Sequence, residues 1–439
     1  MTGAAPACAA PVTPLTRSGG VDIRGVVGNP GRCWAISGHT AAAARMDPPS
    51  ARTMFCLPYA GGGASAYAGL RRALADLTVV PVQLPGRENR IAEPPEFTIA
   101  GIADEVAPAT AEPYVLYGHS MGARLAFEVV RELRRRGLRQ PSRLYVGGAH
   151  PPDRRVPLAA AVELPDDAFI DQLVRRSDAL PELKHLRELR ELMMPVLRSD
   201  FAWIKNYAFV PEPPIGSPIV AFAGLDDGEA GAAEMLGWAR HTTAGFRLRT
   251  LRGGHLFVRD RPAELAALIS ADLAAAHTLP EPDELQLWAG RPADHETVLR
   301  RYTGLATAGT SHADGLTLVA AIGGHEPGIG VSVLRARDLG GLSELSADEQ
   351  AQIEDAAEED RRWLALRAVA AKRALMAAAG RGTDPASVAF PDLTDPGPWR
   401  ALDGPEPARW QVVHLSLGEA VAAVAVPYDR VRLSVDVAG

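Results

Sequence analysis

Ser120 lies in the segment "YVLYGHSMGA" (114 to 123), with Gly118 two residues before it and Gly122 two after. A serine hydroxyl attacks a carbonyl only when a base takes its proton, and an imidazole base needs an acid to hold its tautomer. Two later segments supply such partners. "IVAFAGLDDGEA" carries Asp226 and Asp227, and "LRTLRGGHLF" carries His255 behind two glycines. Asp227 is the better candidate acid, because the later of two acids reaches further past a strand end. The chemistry these residues would perform is acyl transfer through an acyl-serine. The developing oxyanion needs two backbone N–H donors, each worth roughly 3 kcal/mol of barrier. Met121, directly after the serine, would give one. Ala60 or Gly61 in "PYAGGG" would give the other. His119 and His150 lie near these groups and read as structural or substrate-lining residues.

The flanking elements make this placement plausible. Tyr114-Val115-Leu116-Tyr117 is aromatic and β-branched, which predicts a buried strand. From Met121 to Arg136 apolar residues recur at helical spacing, and Gly137 supplies a stop. Ser120 therefore falls on a tight strand-to-helix turn. "TMFCL", "TVVPVQL", "RLYVGGA", "PIVAFAGL" and "FRLRTL" are further short apolar strands separated by helical stretches. That alternation predicts a parallel sheet in an α/β layer architecture. The chain order Ser, Asp, His is that of an α/β-hydrolase, in which each group sits past the carboxyl end of a strand. Between about 164 and 210 the pattern is helical without a strand, as a lid would be.

The 439 residues are too many for one ordinary core. We expect a disordered, low-complexity segment over 1–50, an α/β-hydrolase domain over 51–277, a Pro-rich acidic linker over 278–285, and a smaller α+β domain over 286–439. A long helix, about 347 to 379, should dominate the last. The net charge of −7 gives no support for nucleic-acid binding. No run approaches the roughly 20 apolar residues of a membrane span. Three cysteines, Cys8, Cys33 and Cys56, are too few and scattered for a disulfide framework, so a cytoplasmic setting is expected. Cys56 reads as core. No basic segment leads into an apolar stretch at the start, so no secretory leader is expected; Met1 and Met46 both stand as starts.

"FCLPYAGGGASAY", "VQLPGRENR", "YGHSMGA" and "GGHLF" together resemble the stand-alone, type II thioesterases of nonribosomal peptide and polyketide synthesis, as does the lid segment "LMMPVLRSDFAWIKNY". The resemblance covers about residues 52 to 277. It implies hydrolysis of acyl groups from the phosphopantetheine arm of acyl or peptidyl carrier proteins. The triad would be Ser120, Asp227 and His255, the oxyanion donors Ala60 and Met121, and neither metal nor cofactor would be needed. A general esterase acting on small free esters is the rival reading. Carrier proteins are acidic, so "RELRRRGLRQPSR" (131 to 143) is either a docking patch or a solvated helix end that suits the macrodipole.

Residues 286 to 426 resemble, less closely, a phosphopantetheinyl transferase, through "GVSVLRARDL" and "RRWLALRAVAAKRALMAAAG". The positions of that family's magnesium carboxylates hold Ser332, Leu334 and Ala368. Magnesium takes oxygen ligands, and leucine and alanine offer none. His312 and Lys372 stand where the family contacts coenzyme A. The resemblance therefore implies a degenerate domain, a scaffold or a binder of coenzyme A or carrier protein.

Overall fold

In the computed structural model, residues 34–36, 51–177, 181–274 and, with short interruptions, 284–437 are described. Most of the segment expected to be disordered and residues 278–283 of the expected linker lie outside them. Within the former, β1 (Trp34–Ile36) is ordered as a strand. Residues Glu284 and Leu285 of the latter already belong to a strand.

The apolar runs of the first half become β2 (Thr53–Leu57), β3 (Thr78–Pro81), β4 (Tyr114–His119), β5 (Arg143–Gly147), β6 (Ile219–Gly224) and β7 (Phe246–Leu251). They lie side by side in the order β3-β2-β4-β5-β6-β7, all parallel. Every residue of β4 and β6 is buried, as strands covered on both faces must be. The helices of this half are α1 (Ala68–Ala73), α2 (Ile99–Val106), α3 (Met121–Arg135), α4 (Asp166–Ser177), α5 (Arg187–Asn206), α6 (Ala232–Leu236), α7 (Phe257–Asp260) and α8 (Pro262–Leu273). One face packs against α2, α3 and the lid helices α4 and α5, around Leu125, Val129, Phe169 and Phe201. The other packs against α1 and α8, around Leu70, Leu265 and Ile269.

The sheet does not end at β7. The second half adds β8 (Glu284–Gly290), α9 (His295–Leu299), β9 (Ala306–Ala313), β10 (Leu316–Gly323), β11 (Gly330–Arg335), α10 (Ala347–Asp355), α11 (Glu358–Ala379), β12 (Trp399–Arg400), β13 (Gln411–Leu417), β14 (Ala420–Val426) and β15 (Arg432–Val437). Strand β15 pairs antiparallel with β7 and parallel with β8, which continues through β10 to β9. Among the described residues this makes one ten-stranded sheet. The joint is chemical as well as geometric. Thr250 Oγ1 donates to the Leu433 carbonyl at 3.2 Å, and Arg249 meets Asp436 at 2.7 Å. Leu248, Leu287, Leu433 and Val435 share one buried core.

A second sheet, β1-β13-β14-β11 with β12 beside β13, carries α11 across it. The helix expected over about 347 to 379 is two helices, because Ala356 is extended (φ −71°, ψ 159°) and breaks the hydrogen-bond ladder. Ser346 and Glu349 form a reciprocal cap on α10.

Candidate active site

The turn at Ser120 is strained. Its φ of 53° and ψ of −116° are unusual for a residue with a side chain. The two glycines make the turn possible by their lack of bulk. A Cβ on Gly118 would lie 2.1 Å from the Gly122 carbonyl oxygen, and one on Gly122 would lie 2.0 Å from that of Leu57. The elbow thus presses directly on β4's neighbour β2. Ser120 N–H donates to the Gly147 carbonyl at 2.8 Å, which ties the turn to β5 as well. Met121 begins α3, so its N–H stands at the positive end of a 15-residue helix.

His255 follows β7 and reaches Ser120 Oγ with Nε2 at 3.0 Å. Its Nδ1 lies 2.9 Å from Asp227 Oδ2 and 3.1 Å from Oδ1. With Nδ1–H donating to the carboxylate, Nε2 is left to accept the serine proton. Asp227 sits on the loop after β6, where Oδ1 also accepts the N–H groups of Glu229 (2.9 Å) and Ala230 (3.0 Å). Burial alone would push the Asp227 carboxyl up, but His255 and these two N–H groups hold it at about 2. Burial likewise works against an imidazolium at His255, yet Asp227, with Glu229 adding to it, leaves the imidazole above its ordinary value. Asp226 is not part of this chain of contacts; its N–H donates to the Gly253 carbonyl.

His119 is buried behind the site. Its Nε2 meets the carbonyl oxygen of His255 at 2.7 Å and its Nδ1 the Tyr117 hydroxyl at 3.1 Å. The carbonyl can only accept, so Nε2 carries the proton and Nδ1 accepts from Tyr117. Burial and the neighbouring His255 lower the His119 pKa to about 3, so the ring is neutral and holds the His255 backbone.

The loop after β2 faces the serine. Gly61 N–H is taken, donating to Asp200 Oδ2 at 2.7 Å. Ala60 lines the cavity with Ser120, His255 and Tyr59. Asp200 comes from the buried face of lid helix α5, and Arg87 grips it with two bonds of 2.9 Å. Arg87 also donates to the Gly62 carbonyl at 3.0 Å. One buried ion pair thus joins the lid to the loop that holds Ala60. Reading the sequence for chemistry missed both residues, although an acid at helical spacing from Leu197 and Ile204 was a visible signal.

Residues 52–273, half of the chain, match the family model described as a thioesterase domain. The chain belongs to the thioesterase family. It is 35% identical over 241 residues to Thioesterase PikA5 of Streptomyces venezuelae, covering 53% of this chain and 85% of that one. It is 32% identical over 248 residues to the gramicidin S biosynthesis protein GrsT of Aneurinibacillus migulanus, covering 55% and 93%. Among solved structures, the RedJ thioesterase from the prodiginine pathway of Streptomyces coelicolor is 36% identical, with a TM-score of 0.47 over 54% of this chain and 91% of that one. The protein is therefore a thioesterase related to those of antibiotic biosynthesis.

Other expected features of this thioesterase sit as follows. The arginines of 131 to 143 are largely neutralised by neighbours. Arg131 and Arg134 meet Glu212 at 2.7 Å each, Arg135 and Arg136 meet Glu132, and Arg143 lies 3.4 Å from Asp272. Five of the six arginines of this stretch thus have an acidic neighbour, and Arg139 donates to the Thr110 carbonyl at 3.2 Å. Cys56 is buried in β2. In the second half, Leu334 and Ala368 belong to the core between β11 and α11, and Ser332 is buried on β11. Lys372 is fully buried against Glu349 at 2.6 Å. His312 Nδ1 meets Thr317 Oγ1 at 2.7 Å. Ser332, Leu334 and Ala368, all buried, offer no carboxylate for magnesium at these positions. Among the described residues, no helix is long and apolar enough to cross a membrane.

Proposed function

We propose that Ser120, His255 and Asp227 hydrolyse acyl thioesters carried on the phosphopantetheine arm of acyl or peptidyl carrier proteins, with Ala60 and Met121 N–H groups receiving the oxyanion. The observation that carries this reading is the continuous contact from Asp227 through His255 to a strained Ser120. His255 takes the serine proton as Oγ bonds to the thioester carbonyl carbon. The tetrahedral intermediate collapses, the C–S bond breaks, and the imidazolium returns that proton to the departing thiolate. A water then repeats the cycle on the acyl-serine, yielding the carboxylic acid and the free hydroxyl. A thioester needs no metal for this, because its thiolate leaves readily. Leu173 of α4 and Leu197, Phe201 and Ile204 of α5 line the cavity beside Ser120, as a lid over an acyl group would.

The second half is, on this reading, a degenerate transferase-like domain that has lost coenzyme A turnover and serves as scaffold. The work takes place in the cytoplasm. Incubating the protein with a panel of acyl carrier proteins and weighing it intact tests the first step. An acyl adduct on the wild type, absent from Ser120→Ala, is expected. A higher kcat/KM for p-nitrophenyl esters than for every acyl carrier would replace this reading with a general esterase.

A further inference from the structure

Lid helix α5 presents Leu197, Asp200, Phe201 and Ile204 at the spacing that stacks side chains on one side of a helix. All four are buried, and together they do two things. Leu197, Phe201 and Ile204 line the cavity that Ser120 and His255 also line. Asp200 accepts the Gly61 N–H at 2.7 Å, one residue past the expected oxyanion donor Ala60. Leu197 takes part in both. Besides lining the cavity, it packs on Gly61 so closely that a Cβ there would lie 2.7 Å from its Cδ2. Gly61 also has a φ of 77°, which a glycine adopts freely. The loop that carries Ala60 therefore rests on a side chain that an acyl group in the cavity would touch.

We infer that the acyl group itself seats the oxyanion loop: apolar carbons packed on Leu197 and Phe201 hold α5 against Gly61, so that burying them raises kcat instead of lowering KM. This rests on the proposal that Ser120 attacks an acyl thioester. Contacts remote from the reacting bond speed a reaction when their binding energy orders the groups that meet the transition state. Here the group ordered is the Ala60 N–H, through Gly61 and its two contacts with α5. Burying one methylene is worth about fourfold, so the two that distinguish a butyryl from an acetyl group can supply about tenfold.

The test measures kcat and KM for acetyl- and butyryl-pantetheine at pH 7 with wild type, Arg87→Met/Asp200→Leu, Leu197→Ala and Ser120→Ala. The double variant keeps the cavity-lining side chains and cuts the polar bonds from α5 to the loop. Leu197→Ala removes the packing on Gly61 and leaves those bonds, and carries the same test should the double variant melt too low to assay. Wild type should turn over the butyryl thioester about fivefold or more faster than the acetyl one, with KM values within about twofold. In each variant the kcat ratio should fall below about twofold, and in the double variant the butyryl advantage should reappear as a lower KM. A role in stability alone would slow both thioesters equally and leave the ratio as it was. An unchanged ratio in the folded variants, or a wild-type preference carried by KM, would overturn the coupling. Hydrolysis of neither thioester by the wild type, or equal hydrolysis by Ser120→Ala, would instead remove the proposed function beneath it.

Discussion

Replacing Asp200 by leucine separates what the Arg87–Asp200 pair does for stability from what it does for the oxyanion loop. Both side chains are almost fully buried, and Asp200 accepts three bonds of 2.7 to 2.9 Å, from Gly61 N–H and the two Arg87 nitrogens. Asp200→Leu strands a buried guanidinium, a loss of about 3–5 kcal/mol. For a domain of this size that is a Tm decrease of about 6–20 °C. The double variant Arg87→Met/Asp200→Leu should recover most of that loss. Burial holds the Asp200 carboxyl above its ordinary value despite Arg87 and Gly61, so the ion pair does not fully offset its own desolvation. An apolar pair of similar volume is then close to neutral. Turnover should not recover, because Gly61 N–H has lost its acceptor and the loop presenting Ala60 is no longer pinned. Losing one oxyanion donor costs about 10²- to 10³-fold in kcat, and a misplaced one should cost about tenfold or more. Thermal melts and kcat on one thioester suffice for all three proteins. A double variant with wild-type kcat would refute the claim that this pair positions the loop.

Asp227→Asn removes the carboxylate that raises His255. The base works as neutral imidazole, so the acid limb of kcat/KM should lie above pH 6.5 in the wild type and move to lower pH in the variant, with a lower plateau; an unmoved limb would count against the assignment of the acid. The depressed Asp227 pKa also predicts that its share of stability, present above about pH 4, is lost as pH falls towards 2, which denaturant titrations at pH 5 and pH 3 would show as a larger loss in wild type than in Asp227→Asn. Gly122→Ala should cost about 1–3 kcal/mol or more, read as a lower Tm, since its Cβ would meet the Leu57 carbonyl oxygen at 2.0 Å. Truncation after residue 277 should give insoluble or strongly destabilised protein, because β7 loses β15; a truncated protein with full Tm and kcat would contradict the importance of that joint.

The elbow was legible because its constraint is local. Gly118, Ser120 and Gly122 lie within five residues, and the strand and helix on either side announce themselves by period. Asp227 was separable from Asp226 on reach past a strand end alone. What escaped depended on distant partners. Arg87 and Asp200 are 113 residues apart, and nothing in either neighbourhood names the other. The arginines of 131 to 143 stood open between a docking patch and a solvated helix end because Glu212, 78 residues beyond Arg134, is invisible to local charge counting. The break at Ala356 was hidden by an alanine- and acid-rich run that favours helix throughout. Most of all, periodicity marks a strand without choosing its neighbour. The domain division at the linker followed composition, whereas β15 inserts its backbone between β7 and β8.

That insertion has a temporal side. Thr250 and its partner Leu433 are separated by 183 residues. At ribosomal speeds of about 5–20 residues per second, β7 waits on the order of ten seconds or longer for the strand that will lie beside it. Throughout that interval the nascent hydrolase half offers bare amide and carbonyl groups along the edge from which the His255 loop departs, and a chaperone or a neighbouring nascent chain has that long to find them.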